Sequence, residues 1–404
     1  MPTVGQVDLV TETTAKAILE EEKYRNALLA SLAADSMATF KTDIKGIQSL
    51  VRNGVAAKVF NIGDQIVVPW TDKATGQSYQ VPLDVVHFGN VELKSGETVP
   101  AMYLQWHYST PAGVMFDSFE AIYYAKEELP AGTYNFNVKE TWSKALAGDY
   151  QFTLKNPVPQ GGQIAGLKLL ADAEPAKWKV QTFKNKTDTE PIEEAVVTSG
   201  KTGVSLGVLE KAGNAQLNSI QRAAYGYNRW GQSAIRQWLN SAAAPTKWWN
   251  PQNDYDRPPD QLATLHGFMS GFEKDFLDVL GTIKVTTALN TVTDTSEGAT
   301  EVTYDKFFLP ALEQIYAQNQ LAGEGEYWEY WKRATGAREP QAWYVAYPER
   351  ITYAINAQTS AQYVRLRSAY RDGGYITWFV STSGDVGSYG AYNAYRCAPA
   401  CVIC

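Results

Sequence analysis

Apolar residues recur at helical spacing near the start of the chain. Ile18, Leu19, Leu28, Leu29 and Leu32 form one set with charges between them, and Ile44, Ile47, Leu50 and Val51 form a second. Asn53-Gly54 supplies a helix stop. Helices this short are marginal unless packed on something. Residues 1–55 are therefore expected either to pack as two helices on the next domain or to form a docking or oligomerisation segment. From Phe60 to Val208 the period becomes extended: IGDQIVVPW, YQVPLDVVHFG, AMYLQWHYS, GTYNFNV, GDYQFTL and KWKVQTF are β-branched and aromatic runs punctuated by Gly, Pro, Asn and Asp. That spacing predicts a β-sandwich or jelly-roll-like domain over 56–208. After Asn214 short helices alternate with irregular strands. NRWGQSAIRQWLNS puts Ile235, Trp238 and Leu239 on one face with Ser233 as a cap, FEKDFLDVLG is a second helix stopped by Gly281, and IKVTTAL and KFFLP read as strands. Residues 209–404 are expected to be a compact α+β domain.

Composition adds constraints. Apolar residues are 45% and charged residues 20% of 404, enough for real cores. Twelve Trp and 24 Tyr favour β-structure and contact surfaces, because these rings offer area at low rotamer cost. A net charge of −7 argues against nucleic acid as the main partner. No run of apolar residues is long enough to span a membrane, and MPTVGQVDLV lacks the pattern of a secretory signal. Three cysteines packed into eight positions form no disulfide framework, so synthesis in a reducing cytoplasm is the expectation.

Candidate chemistry is sparse. His87 and His107 lie in predicted strands without a second His or a carboxylate cluster, which reads as structural. Asp254 with Asp256, and Glu324 with Glu326, read as solvated faces rather than calcium or acid–base pairs. All three cysteines, Cys397, Cys401 and Cys404, sit in the closing RCAPACVIC, where no fourth zinc ligand is evident and ACVIC reads as a buried strand. No catalytic residue, metal ligand or cofactor is assigned, and the protein is not expected to be an enzyme.

The exception in composition is 369–395, AYRDGGYITWFVSTSGDVGSYGAYNAY, which lacks Lys, Glu, Gln, Leu, Met and Pro. Tyr, Ser, Gly, Asn and Asp are the vocabulary of a paratope, rigid amphipathic rings among adaptable small residues. Strand alternation predicts Ile376, Trp378 and Val380 on a core face, with Tyr375, Thr377, Phe379 and Ser381 displayed.

RLRSAYRDGGYITWFVSTSGDVGSYGAYNAYRCAPACVIC resembles the variable region of proteins diversified by retroelements in phages and bacteria. YGYNRWGQSAIRQWLNS, KFFLPALEQIY and GEYWEYWKRATG resemble the constant body of their C-type lectin-fold ligand-binding domain, over roughly 205–404. The resemblance implies that Asn-type codons are randomised to codons that cannot encode Lys, Glu, Gln, Met or Trp, which makes Trp378 a fixed position. Carried over, it implies variable ligand-binding positions at Tyr370, Asp372, Tyr375, Thr377, Phe379, Ser381, Asp385, Gly387, Ser388, Tyr389, Tyr392, Asn393 and Tyr395, with Ala391, Ala394 and Arg396 as framework. The function implied is a phage receptor-binding or adhesion protein on the virion surface. Its partners would be a host-surface protein or glycan, other virion proteins and further copies of itself, a trimer suiting a fibre or spike. The alternatives are a structural tail or capsid decoration, and a relative of formylglycine-generating oxidases with copper on Cys397 and Cys401.

Overall fold

The computed structural model describes residues 12–32, 43–141, 146–166, 178–210, 219–294 and 297–404. Hydrophobic alternation sets the first strand: in β1 (Gln65–Thr71), Ile66, Val68 and Trp70 point inward while Gln65, Val67 and Pro69 face solvent. β2 (Ser78–Glu92) and β3 (Thr98–Trp106) follow it as antiparallel neighbours. Late in the chain come β4 (Phe307–Phe308), β5 (Val364–Ala369), β6 (Ile376–Val380), β7 (Val386–Gly390) and β8 (Ala400–Ile403). The main sheet has the order β1-β2-β3-β8-β4. Within it Cys401 stands opposite Leu104 on one side and Phe307 on the other. A strand paired on both edges inside a sheet covered on both faces must be apolar throughout, and all four residues of β8 are buried.

The core beneath this sheet is dense in aromatic rings. Trp70 and Trp106 lie 5.3 Å apart edge to face, and Phe272 stacks on Phe307 at 5.1 Å. The short helix Ala234–Leu239 contributes Ile235, Trp238 and Leu239 to it, capped by Ser233 Oγ on the Arg236 amide at 3.3 Å. Helix α2 (Ile44–Arg52) buries Ile47, Leu50 and Val51 against β3 and β8. Asp43 caps its start, and its stop falls at Asn53-Gly54, where Gly54 takes a φ of +69°. In α1 (Glu12–Leu32), by contrast, Ile18 and Leu19 of the predicted apolar face are exposed among the described residues. The side chains of Leu28, Leu29 and Leu32 lie outside the described residues.

Sheet membership departs from the expected division at 208. β3 pairs with β8 and carries β2 and β1 with it, so residues 65–106 share the sheet and the core of the C-terminal half. The sandwich-like part is confined to 123–209. One sheet joins Tyr123–Tyr124, Gln163–Ala165, Lys179–Phe183 and Glu193–Val196. The other joins Gly132–Val138, Gly148–Leu154, Thr198–Ser199 and Val204–Leu209. They enclose their own core around Phe136, Phe152, Trp178 and Val180. Alternation revealed each strand; it could not reveal which distant strand satisfies each edge. The chain is α+β with strand outweighing helix, 35% to 18%. No helix among the described residues is long and apolar enough to cross a membrane.

Candidate functional site

The window rests on β5, VRLRSA, in which every residue is buried, both arginines included. A buried guanidinium is costly unless its donors are satisfied. Arg367 donates to Leu309 O at 2.8 Å, Gln314 Oε1 at 2.5 Å and Glu324 O at 2.6 Å. Arg365 donates through Nη1 to Thr377 Oγ1 at 2.5 Å and Tyr389 O at 3.3 Å. Its Nη2 donates to Gly390 O at 3.2 Å and Asn393 O at 3.0 Å, while Nε is without a partner. These acceptors are all neutral. Burial accordingly lowers this guanidinium to about 9, an effect that Tyr395 opposes, and its Cζ lies 4.5 Å from the Tyr395 ring.

β6 is the middle strand of the sheet β5-β6-β7. Trp378 and Val380 are core, as expected, and Ile376 is half-buried. The second face corrects the expectation of display. Thr377 is wholly buried over Arg365, Phe379 is buried edge-on against the rings of Tyr363 and Tyr395 at 5.4 and 5.0 Å, and Ser381 is buried in the following turn. A central strand covered on both sides keeps neither face free, which alternation alone cannot signal. Asp385 is half-buried. Hydrogen bonds from the Ser381 and Ser383 hydroxyls hold its carboxyl below its usual range, so it shapes the turn.

The remaining candidates reach the surface to different degrees. Tyr389 is 52% exposed. Asp372 is exposed and paired with Arg371 at 3.3 Å. Tyr370, Tyr375, Gly387, Ser388, Tyr392, Asn393 and Tyr395 are half-buried, with Tyr370 against Trp378 at 5.3 Å. Gly387 abuts Phe379, where an added Cβ would stand 2.6 Å from the ring. Of the expected framework, Ala391 is wholly buried, Arg396 half-buried and Ala394 exposed.

The half-buried tyrosines form a tiled aromatic surface that extends beyond the window. Tyr225 lies 5.4 Å from Tyr375 and 5.3 Å from Tyr392, and Phe119 lies 5.0 Å from Tyr392. Tyr363 stacks on Tyr395 at 5.4 Å. Burial raises the Tyr395 phenol most, with Tyr389, Tyr363 and Tyr392 adding to the rise, which places these hydroxyls in one neighbourhood. Tyr225, Phe119 and Tyr363 were not legible as surface residues from the sequence, since they lie outside the unusual composition. Among the described residues, every exposed Phe, Trp or Tyr falls between 327 and 389 in the sequence: Tyr327, Trp343, Tyr344, Tyr353, Tyr363 and Tyr389.

Other candidate chemistry is absorbed by structure. Cys397, Cys401 and Cys404 are free and buried; burial pushes the Cys397 thiol up to about 12 and the Cys401 thiol higher, so both stay protonated at neutral pH. His107 pairs with Asp84 at 2.8 Å and His87 with Glu326 at 3.5 Å. Two acidic residues expected on solvated faces are buried. Asp256 accepts from the Asn253 amide nitrogen at 3.1 Å and its side chain at 2.6 Å, and Glu324 accepts from Asn319 at 2.6 Å and Ser368 at 2.5 Å. Among the described residues no group of three or more His, Cys, Asp or Glu is placed to hold a metal ion. A cleft of about 920 Å³ lies between residues 184–192 and 246–263 and includes no window residue.

Residues 206–404 match the model of a family described as a domain of unknown function, DUF6273. The match takes in β4 to β8, and with them the entire window. No curated protein and no solved structure matches the chain.

Proposed function

We propose that this protein is a phage receptor-binding or adhesion protein whose window, residues 369–395, is a retroelement-diversified surface on a C-type lectin-like domain. The reading is one of binding rather than catalysis. The observation that carries it is the coincidence of two independent features. The window has a paratope composition, and its tyrosines at 375, 392 and 395 pack with Tyr225, Phe119 and Tyr363 into aromatic groups beside the exposed Tyr389. Large rings at the surface are unfavourable in isolation, and tiled ones offer a preorganised contact area at small entropy cost on binding. The lectin-like assignment draws support from the short, separate sheet that carries the window and from the return of the terminal strand β8 to the first strands of the body. The virion is the proposed location, with attachment and self-association assigned to the sandwich-like module and to α1, whose Ile18 and Leu19 are exposed among the described residues. Multivalent display would let modest single contacts act together.

The test is a binding screen of the purified full chain against bacterial envelopes, paired with a double variant, Tyr375→Ala with Tyr389→Ala. The reading expects capture by particular envelopes and a loss of about tenfold or more in the variant, at unchanged thermal stability, as for hot-spot aromatics. Envelope binding indifferent to both substitutions would overturn it.

A further inference from the structure

Resting on that reading, we propose that Arg365 and Asn228, both outside the window, are positioning residues that fix its main chain through its carbonyl oxygens. Side chains at Tyr375, Tyr389, Tyr392, Asn393 and Tyr395 are then free to change, while Thr377 is not. Asn228 is wholly buried. Its Nδ2 donates to Gly373 O at 2.7 Å and Ile376 O at 2.8 Å, and its amide donates to Gly374 O at 3.1 Å. Asn290 Nδ2 donates to Asn228 Oδ1 at 2.9 Å, which sets the amide's orientation. Arg365 covers the other half, reaching Thr377, Tyr389, Gly390 and Asn393 with its two Nη groups.

These bonds matter because of where they end. A carbonyl oxygen is present whatever residue occupies the position, so a clamp on carbonyls does not depend on window sequence. The neighbouring main-chain bonds have the same character: Tyr392 N to Tyr225 O at 2.9 Å, Phe116 N to Ala391 O at 2.9 Å, and Val386 N to Trp343 O at 2.8 Å. Thr377 Oγ1 is the one window side-chain atom to which Arg365 donates a hydrogen bond, and Thr377 is fully enclosed; the Tyr395 ring, 4.5 Å from Cζ, adds packing but no hydrogen bond. A guanidinium suits this task because its planar fork spreads five donors over three nitrogens in a fixed geometry, whereas an ammonium gathers three on one nitrogen.

Hydrogen exchange of the full chain, without ligand, tests the clamp. Arg365→Met is expected to speed exchange at the 391–395 amides by about tenfold or more, with the amides of α2 and the main sheet unchanged, as for local opening. Arg365→Lys should recover only part of the protection. A five-site variant carrying Ser at Tyr375, Tyr389, Tyr392, Asn393 and Tyr395 should keep window exchange within about threefold of the parent. Unchanged exchange in Arg365→Met, a uniform acceleration over the whole chain, or lost protection in the five-site variant would each overturn the proposal. If Arg365→Met does not fold, Arg365→Lys and the five-site variant decide by the same criteria. Because no ligand enters, a failed binding screen leaves this result standing, and the reverse holds too.

Discussion

At the scale of the residue, exposure divides the thirteen candidate positions more sharply than composition does. Tyr389 stands free, whereas Thr377 and Gly387 are held by their surroundings. Thr377→Val removes the shortest buried acceptor of Arg365 Nη1 and leaves it the longer bonds to Thr377 O and Tyr389 O at 3.4 and 3.3 Å, so it is expected to cost about 1–3 kcal/mol. Tyr389→Ala is expected to stay within about 0.5 kcal/mol. Denaturant unfolding of the two variants measures both; equal destabilisation would contradict the placement of these side chains. The sequence made the window's unusual alphabet plain. It could not show that Tyr363, Tyr225 and Phe119 complete the aromatic surface, because contacts made across long sequence separations leave no mark on local composition.

At the scale of the element, strands with one wet face were legible and those with none were not. β1 alternates cleanly, and Ile66, Val68 and Trp70 are buried as the pattern requires. In β6 the same pattern suggested a displayed face, yet flanking β5 and β7 and the overlying Tyr363 and Tyr395 leave that face covered. The apolar tail ACVIC was legible as a buried strand, and its place between β3 and β4 makes it structural. Removing Cys401–Cys404 would unpair both neighbours and open the core, so the truncated chain is expected to lose cooperative thermal unfolding. A sharp transition near that of the intact chain, measured by circular dichroism, would show that β8 is dispensable.

At the scale of the molecule, two cores meet around buried acids. Burial, together with Glu120, raises Asp256 to about 7; burial likewise raises Glu120, Asp117 and Asp294, with Arg222 opposing the shift at Glu120 and Asp294. A carboxyl whose folded value lies above its unfolded one binds its proton more tightly in the native state. Stability then falls as pH rises from the unfolded value of 3.8 towards 7 for Asp256. The chain is expected to unfold at a higher temperature at about pH 5.5 than at about pH 8, and Asp256→Asn to flatten part of that difference. A melting temperature that climbs with pH over this range would contradict the burial of these acids. The same scale holds the central claim, that the window is the part of the molecule made to vary. Sequencing the gene across its natural population, with the DNA beside it, tests this most directly. The account predicts substitutions concentrated at the codons for Tyr375, Tyr389, Tyr392, Asn393 and Tyr395, constancy at Trp378 and Ala391, and a near-repeat of the window beside a reverse transcriptase. Variation spread evenly along the gene, with no excess in 369–395, would contradict it.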